Sequence, residues 1–353
     1  MAARARLHRE PLTRRALAGV FLGALVFAAG AGATPNPKKT VTGWIDALAM
    51  NGPEVAYSAE NAEHCRNIVV WNVLTGQASL VSGRTSGSCG DDEPSGQRVS
   101  GIAVAGKQVA WVRTIAGNTE VDDTLFTATI GHLGDHKLAA ARRLGEPPVK
   151  GAWIGTPVAG GNLVAVSLWT TNAAGTITSG SLRTISGTKL TTAATGTTAV
   201  VAESADLGWI AVLRSDGTVR LSKANGSAYL TVSPTSASEI ALRKDYLAVL
   251  TKAHTIEIYN ANSGTFIRRW PVPAGAAHLD LYDGIAIYAV WRKLHALQLT
   301  TGRDVVIASL KRAVVADEIE APGVVYAYDS VRGLEDFGNL AFVPMRTVAA
   351  AVA

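Results

Sequence analysis

The 353-residue chain is 48% hydrophobic and 17% charged, with 33 Lys and Arg against 28 Asp and Glu. Its basic excess sits in the first 33 residues, which hold five Arg and one Glu and leave 28 basic against 27 acidic side chains in the rest. A near-neutral remainder offers no basic face, so neither nucleic acid nor an anionic membrane is expected as a partner.

Residues 1–33 read as an export signal. Arg4, Arg6, Arg9, Arg14 and Arg15 form a positive start, Ala16 to Ala29 is an apolar stretch of secretory length, and Ala31-Gly32-Ala33 is an A-x-A cleavage site before Thr34. The stretch is short for a bilayer span, and Pro35, Pro37, Lys38 and Lys39 follow it. Thr13-Arg14-Arg15-Ala16-Leu17 resembles a twin-arginine signal. The expectation is an extracytoplasmic protein, secreted or periplasmic, with no stable membrane span and with residues 34–43 as a linker.

Two cysteines follow, Cys65 and Cys89. In an exported chain an isolated pair reads first as a disulfide, closing a loop of about 25 residues and adding about 3 kcal/mol on the chain-entropy argument. A metal site lacks support, because His64 beside Cys65 is one neighbour and not a ligand set.

From residue 44 onward the chain repeats itself. GPEVA at Gly52, GKQVA at Gly106, GNLVA at Gly161 and GVVYA at Gly323 share the pattern Gly-x-x-apolar-Ala, and looser copies end on Ala211, Ala248 and Ala286. The alanines 56, 110, 165, 211, 248, 286 and 327 are 54, 55, 46, 37, 38 and 41 residues apart, a repeat-protein period. Each unit reads as four short strands, as in 238–242, 246–251, 254–261 and 265–272, rich in β-branched and aromatic residues and bounded by Gly, Asn, Asp and Ser. Second strands such as VAWV (109–112) and YLAVL (246–250) are continuously apolar, which requires cover on both faces, whereas third strands such as TVRLSKA (218–224) alternate. Apolar inside and mixed outside is the gradient of a propeller blade. The expected fold is all-β, a seven-bladed β-propeller of four-stranded antiparallel blades over residues 44–349, bounded near 44–83, 97–144, 151–191, 197–232, 236–272, 276–310 and 313–349. The last unit is expected to draw all four strands from the C-terminal segment, although Thr40 to Trp44 could close the ring.

Third and fourth strands are joined by a second spelling, in WNVLTGQASL (71–80), IYNANSGTFI (258–267) and ALQLTTGRDVVI (296–307). With these Thr/Ser-Gly turns the chain resembles the repeats of WD40-like and quinoprotein-like (TolB-like) β-propellers over nearly all of 44–348. The resemblance implies the fold and stops short of an activity: the adjacent cysteines and docking motif of quinone enzymes are missing, so no cofactor is expected.

Catalytic signatures are equally sparse. Asp91-Asp92-Glu93 and Glu120-Val121-Asp122-Asp123 are local carboxylate clusters without the alternating spelling of a calcium loop, so no metal is expected. Ser215-Asp216-Gly217-Thr218 is like part of a sialidase Asp-box but lacks its closing Trp, and reads as a hairpin turn. Neither a G-x-S-x-G elbow nor an H-E-x-x-H run occurs. Function is therefore sought in loops. Blade links and second-to-third-strand loops open on one face of a propeller, and there the chain carries Trp169, Trp291, Arg292, His254, Arg113 and Asp329 as candidate binding residues, with Glu60, His64, Arg214, Lys252 and Arg332 nearby. Trp169 and Trp291 beside cationic groups suit a sugar ring or a peptide. The expectation is a non-enzymatic module that binds a protein, peptide or glycan, with a carbohydrate- or peptide-active hydrolase or lyase on the same scaffold as the alternative.

Overall fold

The computed structural model describes residues 37–60, 66–82, 97–132, 134–196, 200–227, 229–332 and 335–353. The export signal, Cys65 and Cys89 with their disulfide, His64 and the acidic loop 91–93 lie outside the described residues.

All-β architecture is as the sequence predicts: the described residues form a β-propeller with one short helix. Four-stranded antiparallel sheets form over 48–80, 200–232, 237–271 and 276–309, each in chain order from first to fourth strand. First strands pack on one another in chain order, from Leu48–Asn51 through Gln97–Ala105, Val158–Gly160, Val200–Asp206, Ala237–Arg243 and Ala276–Tyr282 to Val314–Glu320, which returns to Leu48–Asn51. A closed ring is the result. Radial repetition leaves only short, protected edges at the inner and outer strand of each sheet.

The blade count departs from expectation. Instead of seven four-stranded blades the structure has five, and the units expected at 97–144 and 151–191 are fused in one nine-stranded sheet. Lys150–Ile154 is the seam, because it hydrogen-bonds Asp135–Leu144 on one side and Leu163–Thr171 on the other. Gly151 permits the seam: its φ is +134°, and a Cβ there would stand 2.1 Å from the Arg142 carbonyl oxygen. Only glycine tolerates both conditions.

Ring closure also differs from the expected arrangement of the last unit. Three C-terminal strands, Val314–Glu320, Gly323–Arg332 and Glu335–Pro344, are completed by the N-terminal strand Lys38–Thr42, so the segment read as a linker supplies the outermost strand. Its register runs from Lys38 opposite Ala341 to Thr42 opposite Phe337, and the Thr40 hydroxyl donates to Asn339 Oδ1 at 3.0 Å. Residues 38–42 and the C-terminal strands are thus locked in one sheet. Helix Met345–Val352 then lays Val348 and Val352 over the cluster of Val324, Ile287 and Leu294.

The repeated alanines explain the packing. Ala56, Ala110, Ala165, Ala211, Ala248, Ala286 and Ala327 all have 0% exposure, and each sits on the second strand of its unit. A larger side chain would push neighbouring sheets apart, at about 1–3 kcal/mol for each overpacked site. Around them the core is built from inter-sheet layers such as Trp111, Ile68 and Phe126, and Tyr57, Trp71 and Phe342. Fully burying one such side chain contributes about 1.5–3 kcal/mol.

Candidate functional site: the central channel

First strands line a channel of about 680 Å³ along the ring axis. Two devices make it polar. The first is a bulge near the start of the first strand, where register shifts between Val200 and Ala202, Ala237 and Glu239, Ala277 and Asp280, and Val314 and Ala316. A bulge re-aims the side chains beside it. Here those are Glu203, Glu239, Asp280 and Asp317, which all line the channel.

The second device is a recurring hydrogen bond from one unit to the next. The Glu239 carboxylate accepts the Leu279 amide at 2.8 Å, Asp280 accepts that of Ile319 at 2.8 Å, Ser204 Oγ that of Leu242 at 2.9 Å and Asp206 that of Lys244 at 2.7 Å. Their sequence offsets, 38 to 40 residues, equal one repeat. Each staple satisfies a backbone donor that the inner edge of the sheet would otherwise leave unpaired.

Some carboxylates carry more than a staple requires. Glu318 hydrogen-bonds Asp280, and the pair shares the cost of like charges at close range. Desolvation pushes Asp280 up to about 6, and desolvation with the Asp280 charge holds Glu318 well above the carboxylate range. Asp317 is 7% exposed, and neither of its carboxylate oxygens has a hydrogen-bond partner. Burial first, then the charges of Asp280 and Glu239, raise its pKa strongly. On the opposite wall, burial lifts Glu203 to about 7 against the opposing hydrogen bonds from Ser167.

At one end an arginine bridges two of the channel's first strands. Arg243 reaches over the Tyr282 ring, its guanidinium carbon 4.6 Å from the centroid, and binds Glu320 through two bonds of 2.7 Å. Arg243 and Glu320 end their first strands, so this fork lies at the hairpin end. The opposite end is the face of the second-to-third-strand turns.

That face is where the candidates from sequence lie. Trp169 comes into the channel wall, stacked on Trp153 at 5.8 Å and 10°, with the Arg143 guanidinium 3.9 Å from the Trp153 ring centre. Trp291 is 68% exposed on a turn residue with φ +52°, and Arg292 stands 4.5 Å from its ring. His254 occupies the corresponding turn of the preceding blade, exposed and with φ +58°. Arg113 instead packs over Phe126 at 5.3 Å, and Asp329 is half-buried opposite Gly338 within its sheet. Structure thus brings Trp291 to Arg292 and Trp169 to the channel, while Arg113 belongs to blade packing. The Glu120–Asp123 carboxylates are taken by Arg142 and Arg143, with Asp123 to Arg143 at 3.0 Å. Asp216 accepts from the Thr218 amide at 2.9 Å and hydroxyl at 2.6 Å, a turn as read. Among the described residues no group of three His, Cys, Asp or Glu is placed to hold a metal ion.

What sequence reading missed is the set of channel acids: Glu239, Asp280, Asp317 and Glu318 on one wall and Glu203 facing them. Its signal was present, an acid inside an otherwise apolar first strand in ESA, SEIAL, HLDLY and VADEIE.

No protein-family model matches the chain, and no curated protein matches it. Solved structures match the fold. A chain of the mitotic checkpoint complex superposes with a TM-score of 0.56 at 17% identity, covering 94% of this chain and 99% of that one. The WD40 β-propeller domain of Doa1 superposes at 0.55 with 8% identity, covering 88% and 99%. At such identities the likeness establishes a β-propeller and nothing about activity. Among the described residues no helix is long and apolar enough to cross a membrane.

Proposed function

We propose that this protein is an exported, non-enzymatic binding module that receives a peptide, protein or glycan ligand in its central channel. The observation that carries the reading is the channel itself: 680 Å³, bridged at the hairpin end by Arg243–Glu320 and lined by acidic and aromatic side chains. That volume lies within the range of about 300–1,000 Å³ typical of ligand sites. Trp291 with Arg292 at the rim and Trp169 in the wall supply flat surfaces for the part of the ligand that remains outside. The signal-like residues 1–33 support export from a bacterial cytoplasm, that compartment favours a Cys65–Cys89 disulfide, and the turn motifs support kinship with WD40-like and TolB-like propellers.

A thermal-shift screen against glycans, peptides and divalent ions tests the reading, since a ligand specific for the folded state raises Tm. A shift reduced by Trp291→Ala supports it; no shift with any class removes it. Export is checked by N-terminal sequencing of the expressed protein, which is expected to begin at Thr34.

The hydrolase alternative draws on one observation. A carboxyl raised to about 7, Glu203 beside Trp169, has the protonation state of a general acid near neutral pH. Turnover of a glycan or peptide that Glu203→Gln abolishes would decide for it.

A further inference from the structure

Resting on the binding-module reading, we propose that the group seated in the channel is an organic cation, an alkylammonium or guanidinium, held against Asp317 by the acidic wall of Glu239, Asp280 and Glu318. Asp317 is the reason. A carboxylate that is 93% withdrawn from solvent and hydrogen-bonded at neither oxygen stands at a high cost, and native proteins rarely keep such a group without a role. Its neighbours have structural duties, since Glu239 and Asp280 staple adjacent strands. Asp317 has none, yet it lines the same cavity.

Charge balance points the same way. Seven carboxylates line the channel against three guanidinium groups, and two of those three are already engaged, Arg243 with Glu320 and Arg143 with Asp123. A further cation is what the wall lacks. Metal coordination is the wrong chemistry for it, because the described acids are not grouped closely enough to ligate an ion. A nitrogen cation asks for less: each N–H needs one oxygen at hydrogen-bond distance, and several donors on one group can serve oxygens spread along a wall. The channel also holds an internal precedent, since Glu320 grips the Arg243 guanidinium with two bonds of 2.7 Å one layer below Asp317. Trp169 and Trp153 on the facing wall favour the same ligand, because aromatic faces attract cations.

Calorimetric titration of the folded protein with methylguanidinium and butylammonium tests this, with methylurea as the neutral isostere and calcium chloride as the metal arm. The expected result is saturable binding of at least one nitrogen cation, none of methylurea, and about tenfold weaker binding in Asp317→Asn. That variant replaces a buried, unpartnered carboxyl by a neutral isostere, so it is expected to fold and to melt no lower than the parent. Tighter binding of acetyl-Gly-Arg-Gly-amide than of methylguanidinium would identify the source as a partner's side chain; equal affinity would identify a free small cation. Methylurea binding as well as the cation, unchanged cation affinity in Asp317→Asn, or calcium binding instead overturns the proposal. A glycan or neutral peptide that raises Tm while no cation binds keeps the binding-module reading and sinks the cation. Silence from every ligand sinks both.

Discussion

The two walls of the channel come from the same repeat and have opposite chemistry. On the side of the nine-stranded sheet the first strand breaks at Gly155-Thr156-Pro157, and Trp153, Trp169 and Arg143 fill the wall. On the other side the first strands at 237–243, 276–282 and 314–320 run unbroken and place Glu239, Asp280, Asp317 and Glu318 along the axis. Both sides bury the same alanine of the second strand. The repeat therefore dictates how the sheets pack, and departures from it on the innermost strand dictate what the channel can recognise.

The sharpest break of that comparison is at the Arg243–Glu320 bridge. Arg243→Ala leaves the Glu320 carboxylate, 9% exposed, without its partner, and is expected to cost about 3–5 kcal/mol in urea unfolding, most of it regained by Arg243→Met with Glu320→Leu. Failure of the double variant to recover would mean that the pair contributes more than mutual neutralisation. Next in size is the seam. Gly151→Val drives a side chain into the Arg142 carbonyl and is expected to cost about 3 kcal/mol, with hydrogen exchange accelerating in 135–171 before the acidic side responds. Uniform acceleration around the ring would show that the nine-stranded sheet is not a separate cooperative unit.

Acidity separates the walls more finely. A buried carboxyl whose folded pKa exceeds its unfolded value keeps its proton longer in the folded chain, so its stabilising effect is complete below about pH 4 and is lost as pH rises. For Glu203, raised to about 7, the loss runs from about pH 4 to 7, and Glu203→Gln is expected to flatten the pH dependence of Tm there and to add about 3 kcal/mol at pH 8. Asp317→Asn acts in the same direction. A lower Tm for either variant at pH 8 would show that the ionised carboxylate is held by a favourable interaction. The smallest effect is at the second-to-third-strand turn 215–218, which does not line the channel: Asp216→Ala removes the acceptor for Thr218 and is expected to cost about 0.5–1 kcal/mol with cation binding in the channel unchanged.

How far the chain could be read from its letters depended on the range of the interactions. Gly-x-x-apolar-Ala and the Thr/Ser-Gly turns are local, so their units, strands and buried alanines were legible. Trp169 read as a loop residue of the ligand face, whereas it lies within the second strand Leu163–Thr171 and in the channel wall, because that strand runs farther than its apolar run at 163–168. The nine-stranded sheet was not legible, because a seam strand at 150–154 satisfies two neighbours only once both are in place. Nor was closure by Lys38–Thr42, whose partners are some 300 residues away in sequence, from Thr42 opposite Phe337 to Lys38 opposite Ala341.

By itself the sequence determined an all-β repeat protein, the strand that each unit buries and the face on which its loops gather, since hydrophobic period and turn chemistry act within a few residues. Only the tertiary structure decided how many four-stranded blades form, which end of the channel the Arg243–Glu320 pair bridges and which acids meet. Glu239, Asp280 and Asp317 are about 40 residues apart along the chain and become neighbours because a closed ring brings every first strand to one axis. There low dielectric and mutual repulsion turn ordinary surface-type residues into the most distinctive chemistry of the molecule.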